Sequence, residues 1–454
     1  MELKRQFGLF TCVLIVIADM IGTGIFMTTG NVLGMTGNAL AVLALWAVGG
    51  LVAITGSLCY AELSSMWPDV GGEYVYLKNI YGYLPAFLSG WISLVVGFSA
   101  PVATGSILTV EYLNRFLHNT LPPESPFYSL LESLWVQKSL AAGIILLFGL
   151  IHIAGVKGSS HFQNFLTFLK ILIITLMIGF GLFLADWSQI SRLTADYTIP
   201  GKASPMSIPV LGLALLIVMF AYSGWNSATY IAGEIKNPEK NLLRALLIGT
   251  LVTTLLYLFL NTVFLMSAPG KELMGKDEVG AIATCSLFGS EACGFFTLCI
   301  AIILLSAISV QMMVGPRIYY AMARDNMIFA SLARVHPRFR TPALSISIQI
   351  LLSVFYVFSG SAMTLVIYMG FALNVFPIMA VIGVVYMRYK HPHLDRPYRV
   401  HFYPYVPAIY IILSLAMMTA ALLNWTKTSL FAIGVIAVGV PVFYLWQRFA
   451  GKQN

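Results

Sequence analysis

Apolar runs long enough to cross a lipid bilayer follow one another along nearly the whole chain, and that pattern leaves few folds open. A membrane helix needs ~20 consecutive apolar residues, whereas a tilted barrel strand needs only about half that. Hydrocarbon offers no water to backbone polar groups, so helices and closed barrels are the only structures that span it. Run length decides for helices. Twelve spans are expected, at roughly 9–30, 39–62, 84–115, 138–156, 162–186, 206–231, 242–268, 279–323, 343–359, 362–387, 405–423 and 428–447. The eighth window exceeds one crossing, so part of it is expected as a helix outside the core. No connection is long enough for a second domain, which makes 1–454 a single transmembrane domain.

Composition agrees with this class. Of 454 residues, 59% are apolar and only 10% are charged, whereas a soluble domain carries roughly a quarter charged residues. The net charge of +8 does not point to nucleic acid, because no basic cluster sits in a soluble domain. It fits the positive-inside rule instead. With the spans placed as above, 18 Lys and Arg fall on the side of the termini and 7 on the other. Both termini are therefore expected in the cytoplasm, with an even number of spans. Lys4 and Arg5 precede a run too long for a signal peptide's apolar region, so it reads as a retained first helix. The five cysteines, Cys12, Cys59, Cys285, Cys293 and Cys299, lie in or beside apolar runs and read as buried free thiols.

Two spans carry a weak point near the middle. Span 1 has "IGTGIF" at 21–26, and span 6 has "FAYSGWN" at 220–226. Glycine costs ~1 kcal/mol in a helix interior. A broken helix in lipid also frees amides and carbonyls at several kcal/mol each unless protein or a cavity satisfies them. The bland reading is close helix packing by small residues. The spacing favours a site. Span 6 comes five spans after span 1, and five is odd, so a second five-span unit would be inverted relative to the first. Interrupted segments at matching places in inverted halves point to a transporter's binding site. The half-helix after Gly24 would offer free N–H groups to an anion. Carbonyls freed in span 6 would attract a cation. Facing seats of this kind suit a zwitterion such as an α-amino acid.

These motifs also carry a family resemblance. "IGTGIF", "PDVGGEYVYLKNIYG" (68–82), "FAYSGWNSATYIAGEIKNPEKNLLRA" (220–245) and "GPRIYYAMARD" (315–325) resemble the amino acid–polyamine–organocation transporters. Within these, the L-type and related bacterial amino acid permeases are nearest. The resemblance implies an all-α LeuT-type fold: inverted repeats at 9–186 and 206–387, plus helices 11 and 12 at 405–447. It implies a substrate carboxylate at the backbone N–H groups of Thr23 and Gly24, with Gly22 among the binding residues of the same motif. It places the amino group at carbonyls of Met20, Ile21, Phe220, Ala221 and Ser223, with Tyr222 and Gly224 completing the motif. Phe220 takes the aromatic gate position, and Trp225 and Asn226 brace the break. No cofactor or metal is implied. The expected location is a bacterial cytoplasmic membrane.

An ionisable group inside a membrane span is a functional candidate by default. Lys170 lies eight residues into span 5, at ~12 Å of depth, which is far for snorkelling to the interface. In several members of the family that the chain resembles, a lysine in span 5 stands in for the sodium ion of sodium-coupled relatives, and Lys170 matches that place. Ser306 and Ser309 would be remnants of that ion site, and no sodium requirement is expected. Asp19 departs from the family pattern. It reads as a partner of Lys170, as a proton carrier, or as a cap for the broken helix. Glu62 reads as an interfacial anchor and His152 as structural. Arg317 reads either as a cytoplasmic gate charge or as one more positive-inside residue.

The leading reading is a secondary transporter of L-α-amino acids working by alternating access, either by proton symport or by amino acid exchange. A neutral side chain is expected, because no acidic residue is evident near the span 6 motif. Amino acid/polyamine antiport is the alternative, weakened because a carboxylate seat serves no polyamine. A transport-fold nutrient sensor without net flux is another. An enzyme would need a constellation such as H-E-x-x-H or G-x-S-x-G, and neither is present. A channel would need charge rings or filter loops. The expected partners are the amino acid, protons and membrane lipid, with no nucleic acid and no obligate partner subunit.

Overall fold

The computed structural model describes residues 3–120, 122, 125, 132–185, 187–197, 207–360 and 362–450. Met206, at the expected start of the second repeat, and Lys202 and Lys452 of the charge count lie outside them. Among the described residues the chain is helical, with two isolated β-bridges and no strand.

Helix occupies each expected window. The first holds Leu9–Met20 (α1) and Gly24–Thr36 (α2), bent by 41° at the break between them. Gly37, at φ 61, ends α2 in the left-handed region that glycine enters freely. The Asn38 side chain then accepts from Ala41 N at 3.0 Å and caps Ala39–Met66 (α3). Glu73–Tyr81 (α4) is a short helix outside the spans. Tyr83–Ile92 (α5) and Ser99–Thr120 (α6) form the third span across a π turn at Ser93–Gly97. Leu134–Ile153 (α7) and Val156–Leu184 (α8) follow.

The sixth window holds Ile208–Tyr222 (α9) and the single turn Ser227–Tyr230 (α10), with four residues between them. Pro238–Ser267 (α11) begins on a proline, whose missing N–H is harmless in a first turn. Val279–Val314 (α12) is kinked at Gly289 (φ 78), which sets off its first arm from the apolar stretch Cys293–Arg324. Pro316–Arg324 (α13), Ala343–Ser359 (α14), Ala362–Lys390 (α15), Tyr405–Asn424 (α16) and Thr426–Ala450 (α17) complete the chain. Among the described residues, nine helices are long and apolar enough to cross a membrane, or ten if α1 and α2 are one span. Large apolar side chains such as Phe183 (82% exposed) and Leu351 (69%) point outward, as a lipid-facing surface requires.

The kink at Gly289 corrects one expectation. In a straight helix, residues eight apart lie ~12 Å from each other along the axis. Here Cys285 and Cys293 have Cα atoms 4.5 Å apart and form a disulfide. Cys12, Cys59 and Cys299 are free and buried, as expected.

Packing centres on α1, which lies against α8, α11 and α12, while α2 runs along α9. The two broken spans are therefore neighbours. Two buried ion-pair clusters fix the surroundings. Arg317 is buried and donates to Glu234 at 2.9 Å, so it is no freely solvated surface charge. The backbone of Glu234 and Lys236 holds the N-terminal strip, with Gln6 N and Phe7 N on Glu234 O at 2.7 and 3.0 Å, and Lys236 N on Phe7 O at 2.9 Å. Glu62, near the end of α3, is buried. It pairs with Arg388 and Arg396 and accepts from Val400 N at 2.7 Å, which pins the segment between α15 and α16 to the end of α3.

Candidate functional site

The breaks in the first and sixth windows meet. A Cβ at Gly24 would lie 2.4 Å from Ala221 Cα and 2.5 Å from Ala221 Cβ. Only glycine lets the start of α2 come this close to the end of α9. Gly224, at φ 96, needs glycine for its conformation as well, and a Cβ there would lie 2.8 Å from Asp19 Cγ. Gly22 is different, because a Cβ there would make ordinary contact with Ala307 at 3.5 Å.

Thr23 caps α2, accepting from Phe26 N and Met27 N, each at 3.2 Å. The amides of Thr23 and Gly24, which precede these, have no carbonyl of their own helix to donate to. They open on a cavity of about 40 Å3 lined by Met20, Gly22, Thr23, Gly24, Phe220, Ala221 and Ser223 together with Asp19 and Gln311. Seven of the ten expected substrate-binding residues thus share one cavity. Gly224 lines a second cavity that adjoins it. Ile21 and Tyr222 line neither. Ile21 is fully buried and its carbonyl is taken by Lys170. The Tyr222 hydroxyl turns away to donate to Trp46 O at 2.9 Å, because its helical position faces α3.

The carbonyls of Met20, Ile21, Phe220 and Ala221, expected to hold an ammonium, have protein donors. Tyr257 of α11 lies within hydrogen-bond distance of both breaks, at 2.5 Å from Met20 O and 2.8 Å from Ala221 O. One hydroxyl proton serves one carbonyl at a time, and Met20 O also accepts from Gly22 N at 3.0 Å. Phe220 O accepts from Ser223 N at 3.1 Å and from Ser223 Oγ at 2.6 Å. Tyr257 was not singled out in the sequence, where it is one tyrosine in "TLLYLFLN". Tyr257→Phe removes a donor from two buried carbonyls at ~1–3 kcal/mol per unmade bond. We expect a loss of roughly tenfold in transport efficiency, read from initial uptake rates at matched protein content.

Lys170 does not snorkel. It is fully buried and donates to Ala18 O at 2.9 Å and to Ile21 O. These carbonyls end α1, so the ammonium occupies the negative end of that half-helix. Among the described residues no hydrogen bond joins Ser306 or Ser309 to Lys170. Ser306 O lies 3.3 Å from Gln163 Nε2, and Ser309 Oγ lies 2.9 Å from His152 Nε2. Asp19 accepts from Gln311 Nε2 and makes no ion pair with Lys170.

The second cavity, of about 80 Å3, shares Asp19, Pro101, Ser223 and Gln311 with the first and continues to Glu73. Glu73 corrects the expectation that no acidic group stands near the span 6 motif. It belongs to α4, far away in sequence, and so shows no motif within span 6. The left-handed Gly72 (φ 53), whose Cβ would lie 2.4 Å from the Tyr230 ring, lets α4 approach α10. Glu73 Oε1 accepts from Asn226 Nδ2 at 2.6 Å and from the Tyr230 hydroxyl at 3.2 Å. Burial pushes its carboxyl up to about 7, against those hydrogen bonds, which favour the charged form. Asn226 thus braces the break through α4, and Trp225 does so by edge contact with Tyr60.

Comparison with known proteins fits this geometry. The amino acid permease family model matches residues 7–450. The serine/threonine exchanger SteT of Bacillus subtilis (strain 168) is 30% identical over 446 residues, covering 97% of each chain. The human large neutral amino acids transporter small subunit 2 is 28% identical, over 98% of this chain and 82% of its own. The mouse b(0,+)-type amino acid transporter 1 is 28% identical, over 100% of this chain and 90% of its own.

Proposed function

The chain belongs to the amino acid permease family, and from that premise we propose that it exchanges L-α-amino acids across a membrane, independently of sodium, by alternating access at the paired breaks. It is an integral membrane transporter and not an enzyme. The carrying observation is the contact of Gly24 with Ala221, which sets first-turn amides of one half-helix beside end carbonyls of another. A carboxylate and an ammonium one carbon apart fit that pair of seats.

Counting α9 with α10 as one broken span, and the continuous α14 as a further span, brings the ten candidates to the twelve expected. The two broken spans then open two inverted repeats at 9–186 and 206–387, with α16 and α17 outside them. The orientation with both termini cytoplasmic is supported by the Cys285–Cys293 disulfide. It would lie on the opposite, oxidising side, as in a bacterial cytoplasmic membrane. Lys170 supplies α1 with the positive charge that a sodium ion would bring, which supports sodium independence. Exchange is favoured because a relative covering nearly the whole chain is named an exchanger. Proton symport is the second reading, favoured by Asp19, a buried carboxylate without an ion pair among the described residues. No second subunit is built into the proposal.

Proteoliposomes carrying the purified chain test it. Labelled amino acid uptake should rise at least tenfold when unlabelled amino acid is trapped inside. It should not change when choline replaces sodium. Uptake into empty vesicles that follows only an inward proton gradient would select symport. Binding without flux would select the sensor.

A further inference from the structure

Asp19 and Glu73 line the same cavity of about 80 Å3, next to the zwitterion seat, and are 6% and 5% exposed. Its described lining includes no Lys, Arg or His. Lys170 lines neither cavity, and its ammonium is directed to Ala18 O and Ile21 O. With both ionised, the cavity would hold two buried carboxylates and no cation in its described lining, and a zwitterionic substrate adds no net charge. Buried charges are expensive unless paired. In that state the lining is short of a cation.

A second observation is independent of charge. Ser89 is 1% exposed, lines this cavity, and its hydroxyl has no hydrogen-bond partner among the described residues. An unsatisfied buried hydroxyl costs ~1–3 kcal/mol, which an occupant offering a donor would recover. Phe98, Phe376 and Tyr230 also line the cavity, and such rings suit an alkyl stem that ends in a cation.

We propose that this cavity is the side-chain subsite for a cationic α-amino acid, whose terminal ammonium or guanidinium sits among Asp19, Glu73 and Ser89. The inference rests on the amino acid transport reading and names its substrate class. Asp19 borders both cavities, so a substrate held by its α-groups at the breaks passes its side chain beside Asp19 toward Glu73. A cation arriving there favours the ionised form of Glu73, so binding and ionisation reinforce each other. A bare proton would settle the charge but would leave the space and the Ser89 hydroxyl unfilled.

The test compares labelled lysine with norleucine, a neutral amino acid with the same carbon chain, in proteoliposomes of the full-length protein. Wild-type kcat/KM should favour lysine by at least tenfold. Glu73→Gln should lower that ratio at least tenfold, and Glu73→Asp should restore part of it. The inference is overturned if neutral amino acids are carried while lysine neither enters nor competes. It is also overturned if the ratio is unchanged in Glu73→Gln. Neutral uptake driven by a proton gradient and lost in Asp19→Asn, with no lysine preference, would assign the missing charge to a proton and overturn it too. If no amino acid in the panel moves, the transport reading itself has failed. Should Glu73→Gln not fold, the wild-type ratio alone decides.

Discussion

Gly24→Leu should abolish substrate binding while the helical protein stays folded. The reason is local and steric. A Cβ alone would meet Ala221 Cα at 2.4 Å, and the obstacle is main chain, which has no rotamer to move. A leucine must therefore separate the start of α2 from the end of α9, and the anion and cation seats part with them. A loss of 100-fold or more in affinity corresponds to ~2.7 kcal/mol, modest beside the misplacement required. The helices themselves are held elsewhere, by the packing of α6 on α12 and of α3 on α11. Binding should be read by ligand-induced thermal stabilisation, and folding by a monodisperse elution profile in detergent. Gly22 is the matched comparison, since a Cβ there meets only Ala307 Cβ at 3.5 Å. Gly24→Ala should cost at least tenfold more affinity than Gly22→Ala. Equal effects, or uptake that survives Gly24→Leu, would mean the substrate does not sit at the paired breaks.

The same contact shows what the sequence could disclose. Glycine beside a hydroxyl residue in mid-span is costly in lipid, so Thr23, Gly24, Ala221 and Ser223 were visible as a pair of breaks. Lys170 was visible for a similar reason: a charge surrounded by Leu, Phe and Ile needs an explanation. Facing was not visible. A helix apolar all round carries no periodic signal for which side meets its neighbours. Tyr222 and Tyr257 therefore look alike in sequence, yet one binds Trp46 O and the other bridges both breaks. Ser306 and Ser309 line up with an ion site by position, but their helix turns them toward Gln163 and His152. Gln311, a lone amide in "SAISVQMMV", carried the same kind of signal as Lys170 and reaches Asp19. Glu73 lay beyond any span-by-span reading, because its place depends on how α4 folds onto α10.

Lys170→Ala should cut the transport rate at least tenfold, and Lys170→Met, which keeps most of the volume, should do nearly the same. The ammonium donates to Ala18 O and Ile21 O at the end of α1, where carbonyls have no further turn of their own helix to accept from. Removing it leaves two buried acceptors short of a donor, at ~1–3 kcal/mol each, and leaves Asp19 without the nearest buried positive charge. The end of α1 is one side of the break, so the loss falls on the proposed substrate seat. Methionine restores packing without charge. Similar losses in both variants would assign the effect to the ammonium, and recovery in Lys170→Met would assign it to volume. Lys170→Arg is a weaker replacement, because a planar fork does not match two carbonyls held around a compact ammonium. The wild-type rate should be equal in sodium and choline. A wild-type protein that needs sodium, or a Lys170→Ala variant with unchanged rate and pH profile, would remove Lys170 from the transport cycle.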